Sequence, residues 1–222
     1  MMMPAQPQAP RPPLAMTTAL PLLDALDRAP AIACSACLVG VRCRYDGADK
    51  NAGRELIDRL LDRPADPAID PRASDIWRLF AEAARRCRDG HALDFESALQ
   101  ALVPRGVLPL CPELFGGLPC PRAPADFFDG DGADLVFGRA RLIDRLGRDV
   151  SAPFVDGARI ALELARAHGV RAALLKEGSP SCGVRRVQRE GVKVEGRGVA
   201  AVLLSRAGIP LFSEEELAAG AP

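Results

Sequence analysis

Seven cysteines and two histidines are the soft metal-ligand inventory of this 222-residue chain, and the cysteines fall in a pattern. Cys34, Cys37 and Cys43 lie within ten residues, in Cys34-Ser-Ala-Cys-Leu-Val-Gly-Val-Arg-Cys-Arg-Tyr-Asp-Gly47. Cys111 heads Cys-Pro-Glu-Leu-Phe-Gly-Gly-Leu-Pro-Cys-Pro-Arg122, and Cys182 sits in Lys176-Glu-Gly-Ser-Pro-Ser-Cys-Gly183. Thiolates select zinc, copper(I) or iron-sulfur clusters over hard cations. His91 and His168 stand outside these groups, which weakens a Cys/His zinc finger. Widely separated single cysteines suit a cluster better than a structural zinc, which takes ligands in pairs two to four residues apart. Three thiolates on a four-iron cluster would leave one iron with an open position, and open positions do chemistry.

Each of the three cysteine loops follows a short apolar run. Ala31 to Ala36, Val107 to Leu110 and Val170 to Leu175 read as strands buried on both faces. Between them, helical spacing predicts helices over 51–62, 74–86 with Ser74 as cap, 93–102, 154–168 and 198–207. Residues 126–132 read as turn, 134–146 as one or two strands around Gly138, 184–195 as a polar hairpin, and 209–212 as a final strand. The fold class is α/β: an open, mostly parallel, Rossmann-like sheet with flanking helices. Right-handed crossovers then bring all three cysteine loops to the carboxyl edge of the sheet, where such folds bind ligands. Three helices between the first two strands exceed one crossover and mark a helical insertion.

The length fits a single domain with a core that needs no cross-links. We expect an N-terminal extension over 1–28, rich in Pro and Ala and without periodicity, with Met16 as an alternative start. One α/β domain should span 29–216, with the insertion at about 62–104 and a tail at 217–222. Twenty-nine basic residues balance 29 acidic ones, so no net field argues for nucleic acid or a membrane surface as obligate partner. No stretch is long and apolar enough for a secretory signal or a membrane span, and the expected location is cytoplasmic. In a reducing compartment, seven cysteines are more readily ligands or core thiols than a disulfide framework.

Three motifs follow one another in order: Ser35-Ala-Cys37-Leu38-x-Gly-x-x-Cys-Arg-Tyr-Asp-Gly-x-x-Lys50, Cys111-Pro-Glu-x-x-Gly-Gly-Leu-Pro-x-Pro-Arg122, and Lys176-x-x-Ser-Pro-Ser-Cys-Gly183. Together they resemble the DUF523 family, whose characterised members are thiouracil desulfurases. The resemblance implies a 4Fe-4S cluster bound by Cys37, Cys111 and Cys182, with the fourth iron taking the sulfur of a thiocarbonyl such as 2-thiouracil. Water then replaces sulfur without net redox change and sulfide is released. Glu113 becomes the base that activates water, and Ser179 the group that orients substrate or relays a proton. The partner is a small thiolated molecule.

Other readings stand beside this one. Cys43 is read as a packing thiol beside the cluster, Cys34 as pointing into the sheet core, and Cys87 and Cys120 as structural. Glu113 could instead pair with Arg122, Ser179 could shape its turn, and Asp46 could pair with Lys50. Against the family pattern, the 62–104 insertion suggests a cap over the site. Arg185, Arg186 and Arg189 could favour a nucleotide or a thiolated RNA base, although a solvated face is the commoner role of such a run. A non-catalytic zinc- or thiol-binding module, or sulfur transfer on a thiolated RNA base, are the alternatives.

Overall fold

Four consecutive residues buried on both faces, Ile32–Ser35, begin a parallel sheet whose strand ends carry most of the chemistry. The computed structural model describes residues 28–50 and 54–219, so the expected extension over 1–28 lies almost wholly outside the described residues. In chain order the elements are β1 (Ile32–Ser35), α1 (Arg54–Leu61), α2 (Asp75–Arg85), α3 (Phe95–Leu102), β2 (Val107–Leu110), α4 (Pro112–Phe115), β3 (Ala125–Phe128) and α5 (Gly132–Val136). There follow β4 (Arg141–Asp144), α6 (Ser151–Ala167), β5 (Ala172–Leu175), the hairpin β6 (Arg186–Arg189) and β7 (Val192–Glu195), α7 (Val199–Arg206), β8 (Leu211–Ser213) and α8 (Glu214–Ala219). Among the described residues no helix is long and apolar enough to cross a membrane.

The first sheet is parallel throughout, in the order β2-β1-β5-β8. Alternation along its strands sends Ala33, Leu108, Leu110, Ala173 and Leu175 to one face, where α2, α6 and α7 contribute Phe80, Leu164 and Leu204. Ile32, Cys34, Val107, Ala172 and Leu174 face the other side, against Leu56 and Leu60 of α1. Helices on both faces make this the open α/β sheet expected from the sequence. Ser74 caps α2, its Oγ accepting from Trp77 N at 3.3 Å.

A second sheet, β4-β3-β6-β7, was not foreseen. Its pairs are antiparallel except β3 with β6. Residues 125–128, expected partly as turn, form β3; 134–146 begin as a helix, α5, before the strand β4. Asp131 turns the chain into that helix, its Oδ1 accepting from Ala133 N and Asp134 N. Strand β4 lies within 134–146 and the β6–β7 hairpin within 184–195, as expected, whereas β3 offers no alternation to read, since Phe127 is its one buried residue. Phe127, Leu142 and Val187 form a separate core with Phe154 and Ala158 of α6 and Val199 of α7. Helix α6 therefore serves both sheets, Phe154 and Ala158 on one and Ala161 and Leu164 on the other.

The insertion packs beside the site rather than over it. Phe80 stacks on Phe95, with centroids 5.6 Å apart, and meets Phe115 of α4 edge-on at 5.3 Å. It meets the back of the Cys-Pro-Glu turn through Phe115, and Leu93 O accepts from Arg42 N at 2.9 Å in the loop after β1.

Candidate active site

Cys111, Cys37 and Cys182 follow β2, β1 and β5, three neighbouring strands of the parallel sheet. Parallel pairing places all three strand ends on one edge, and the thiols line one cavity of about 290 Å³. Each is buried yet borders the cavity, with 7 or 8% of its surface exposed. Cys43 joins them, and Glu113 and Ser179 lie in the same wall. No residue of the 62–104 insertion lines the cavity, so the cap expected from the sequence is absent there. A larger open groove of about 630 Å³ between α2 and α6 contains no cysteine.

Each loop is fixed by its own backbone chemistry. Cys37 sits in a 3-10 turn, Ala36–Val39, ended by Gly40 at φ 90° and tied by Lys50 N to Cys37 O at 2.8 Å. Cys111 occupies the residue before α4, and its carbonyl accepts from Phe115 N at 3.0 Å. Ser35 Oγ accepts from Lys176 N at 3.0 Å, joining the ends of β1 and β5, and a hydrogen bond also links it to the Cys182 thiol. Ser179 Oγ accepts from Ser181 N at 3.1 Å and Cys182 N at 3.2 Å. Ser179 thus shapes its turn, and its hydroxyl proton is not engaged by the loop.

Glu113 is held by Arg122, whose Nε and Nη2 lie 2.7 and 2.6 Å from Oε2. The Arg122 side chain is 5% exposed and also donates to Cys43 O at 3.2 Å and Pro119 O at 3.3 Å. Burial works against its charge, but the Glu113 carboxylate and the Cys111 sulfur more than offset it, so the guanidinium remains a cation. The pairing that the sequence left open therefore exists, and it leaves Oε1 of Glu113 uncommitted.

The thiols differ in environment. Hydrogen bonding to the Cys111 and Cys37 sulfurs, with burial, raises the Cys43 thiol well above its ordinary value. The same Cys43 contact lowers Cys111, against burial. Burial pushes Cys182 and Cys34 far up, and Cys34 lies on the opposite face of the sheet among the α1 residues, as alternation requires. Cys120, pushed up to about 11 by burial, rests 3.4 and 3.3 Å from the Arg42 and Arg44 carbonyls. Half-buried Cys87 contacts Ala83 O at 3.6 Å.

Several participants escaped the sequence reading. Glu177, 5% exposed, accepts from the backbone amides of Gly178, Arg185 and Arg186 at 2.9–3.3 Å and so braces the Cys182 loop from within. Glu214 accepts from Glu177 N at 2.7 Å, and burial raises its carboxyl. It follows β8, the fourth strand of the same edge, so the strand-end rule applied once more would have found it. Gln188 and Lys193 reach the cavity from the second sheet. Asp46 pairs with Arg44 at 3.0 Å rather than with Lys50, which stands at the cavity rim. Arg185 and Arg186 pair with Glu216 and Glu215.

As a donor set these residues offer soft sulfur and no histidine. Among the described residues no group of three or more His, Cys, Asp or Glu side chains is placed to hold a metal ion. The sulfurs instead border a cavity, an arrangement that fits a cluster held from several sides and disfavours the single-zinc reading.

The model of the 2-thiouracil desulfurase family matches residues 83–216, which takes in Cys111 and Cys182 but not Cys37. The uncharacterized protein YbbK of Bacillus subtilis (strain 168) is 32% identical over 186 residues, or 82% of this chain and 95% of that protein. Among solved structures, the 4Fe-4S-dependent thiouracil desulfidase TudS superposes with a TM-score of 0.56 at 36% identity, covering 85% of this chain and 93% of that one.

Proposed function

This chain belongs to the 2-thiouracil desulfurase family, and from that premise we propose that it is an iron-sulfur-dependent enzyme that exchanges the sulfur of a thiouracil-like compound for the oxygen of water. The observation that carries the proposal is the delivery of Cys111, Cys37 and Cys182 by three adjacent parallel strands to one cavity whose wall also holds Glu113. Atoms and charges balance without an electron donor: thiocarbonyl plus water gives carbonyl plus hydrogen sulfide.

Cys37, Cys111 and Cys182 would hold the 4Fe-4S cluster. When bound, the cluster supplies an iron that polarises the carbon-sulfur bond and accepts the sulfide. Arg122 pins Oε2 of Glu113, so Oε1 is the atom that takes a proton from water as its oxygen attacks the thiocarbonyl carbon, and the same carboxyl returns it to the departing sulfur. A positioned base of this kind is typically worth about 10²- to 10⁴-fold. Ser179, its Oγ already accepting two amides, has a proton to direct at the substrate. Cys43 is the fourth thiol in the cavity wall, beside the sulfurs of Cys37 and Cys111.

A small substrate is favoured over a thiolated RNA base. The cavity, about 290 Å³, is at the low end of ligand sites. Two of the three arginines that suggested nucleic acid are neutralised by Glu215 and Glu216.

The test is anaerobic: protein reconstituted with iron and sulfide is incubated with 2-thiouracil, and sulfide and uracil are quantified. Equal yields of the two are expected. Reconstituted protein that carries its cluster yet releases no sulfide from 2-thiouracil defeats the proposal.

A further inference from the structure

The 62–104 insertion lines no part of the cavity, yet its residues 86–94 hold two of the three cysteine loops from behind. On the Cys-Pro-Glu side, Arg86 Nη2 donates to Leu114 O at 2.8 Å and Arg88 N to Cys120 O at 3.0 Å. In the loop after β1, both ends of Arg42 are taken: its N donates to Leu93 O at 2.9 Å, and its carbonyl lies 2.7 Å from His91 Nε2. A carbonyl only accepts, so Nε2 of His91 carries a proton and donates it. The Cys120 thiol, 3.4 Å away, is the weaker second donor to the same carbonyl.

The His91 ring also packs on the far end of that loop. A Cβ added at Gly47, which has φ 76°, would stand 3.1 and 3.2 Å from ring atoms and 3.2 Å from Pro121 Cγ, so the imidazole and the proline close on the loop where it has no side chain. The loop held in this way, residues 41–47, supplies Cys43, Arg44 and Tyr45 to the cavity wall. It also anchors Arg122: Cys43 O accepts from Nη1 and Nη2 at 3.2 Å, and Tyr45 O accepts from Arg122 N at 2.8 Å. Arg42 O and Cys43 O belong to consecutive peptide planes with only the dihedrals of Cys43 between them, so holding the first orients the second. His91, Arg42 O, Cys43 O, Arg122 and Glu113 thus form one continuous bonded path.

We propose that His91 is a positioning residue for the desulfuration: by holding the Arg42 carbonyl and Gly47 it sets the direction of the Cys43 carbonyl, and through it the Arg122–Glu113 pair. This rests on the desulfurase reading above, in which Glu113 is the base, and it gives the insertion a duty toward the site without a place in it. Because His91 does not line the cavity, its effect falls on turnover of bound substrate and leaves binding alone.

The experiment compares cluster-loaded wild type with His91→Phe, which keeps a flat ring against Gly47 and Pro121 and removes the donor, and with His91→Gln, whose side-chain amide donates again to Arg42 O. Asp94→Asn, which removes the 3.7 Å ion pair with Arg42 and leaves the hydrogen bond, is the control. Sulfide release from 2-thiouracil is resolved into kcat and KM at matched iron content. Tyr45 is the chain's one tyrosine, so biosynthetic meta-fluorotyrosine places a single fluorine NMR signal in the loop. His91→Phe should lower kcat by about 3- to 10-fold with KM within about 2-fold of wild type, and should shift or broaden the fluorine signal. His91→Gln should return both to wild-type values, and Asp94→Asn should leave both there. His91→Phe that keeps the wild-type kcat or signal, that loses only in KM or that no longer takes up iron would overturn the inference and leave the desulfurase reading intact. So would His91→Gln or Asp94→Asn that falls as far as His91→Phe. Wild type that carries its cluster and releases no sulfide overturns both.

Discussion

Arg122 is the side chain on which the orientation of Glu113, the proposed base, depends. Buried, bonded to Cys43 O and Pro119 O, and paired with Glu113 Oε2, it fixes the direction of the proposed base. Glu113→Gln keeps the shape of the group and removes its basicity, so kcat should fall by about 10²- to 10⁴-fold while the visible absorption of the cluster is retained. A variant that kept its rate would remove Glu113 from the mechanism. The cysteines divide at the same scale. Cys37→Ala, Cys111→Ala and Cys182→Ala should each abolish iron retention after anaerobic reconstitution, whereas Cys34→Ala, three residues from Cys37 but on the other face of the sheet, should retain it. Iron and acid-labile sulfide analysis checks both. That contrast was legible in the sequence, because alternation along a strand separates Cys34 from the loop that follows. The role of Glu177 was not, since a carboxylate that braces its own loop by accepting backbone amides looks like any other acidic loop residue before the loop is folded.

At the scale of elements, the cysteine loops are held by helices that come unusually close. A Cβ added at Gly157 in α6 would stand 1.8 Å from Pro112 O and 2.7 Å from Gly116 N, and one at Gly198 before α7 would stand 2.4 Å from Ser181 O. Only a hydrogen lets α6 touch the Cys-Pro-Glu turn and α7 touch the Cys182 loop. Gly157→Ala should therefore cost at least about 2 kcal/mol in thermal unfolding, and because α4 must shift to admit the methyl, iron retention should fall with it. Destabilisation with full iron content would separate this contact from the site. The turn after β4 allows a test by pH. Burial alone would raise the Asp144 carboxyl, but Arg148 and the amides of Leu146 and Arg148 lower it below the ordinary carboxylate value. A lowered folded-state value stabilises the protein above the unfolded value near 3.9, and the benefit is lost as pH falls through the folded one. Asp144→Asn should thus cost about 2 kcal/mol at pH 7, with the difference from wild type shrinking below about pH 4. A difference that stays constant from pH 7 to pH 3 would mean that charge is not what this turn uses. The parallel sheet of β2, β1, β5 and β8 could be read from apolar runs buried on both faces. The sheet carrying β4 was legible only as separate pieces, a strand within 134–146 and a hairpin at 184–195, because strands with two buried residues at most leave no sign of which pairs with which.

At the scale of the whole molecule, the two sheets have different duties. The parallel sheet brings three distant stretches of sequence to one edge, and the second sheet walls the cavity with Gln188, Lys193 and Asp126. Charge is arranged to the same end: basic and acidic residues cancel at 29 each, and the acidic start of α8 is spent on the hairpin arginines and on Glu177 N. In the proposed reading, the strand edge is completed by a cluster that Cys37, Cys111 and Cys182 would hold. Without that group, four thiols remain buried around the cavity, and the loops after β1, β2 and β5 are left to hydrogen bonds such as Ser35–Lys176 and Arg122–Cys43 to join them. A group bound only by the folded state raises its stability by mass action, and for a chain of this size each kcal/mol is worth about 2–4 °C. Cluster-loaded protein should therefore melt at least about 5 °C above protein stripped with an iron chelator. Hydrogen exchange locates the effect: protection should be lost in residues 36–50, 111–122 and 176–185 and kept around the Phe80–Phe95 packing of the insertion, which shares no residue with the cavity. Identical melting and exchange in the two forms would mean that the three strand ends do not hold the cofactor jointly, and the assignment of Cys37, Cys111 and Cys182 would fall with it.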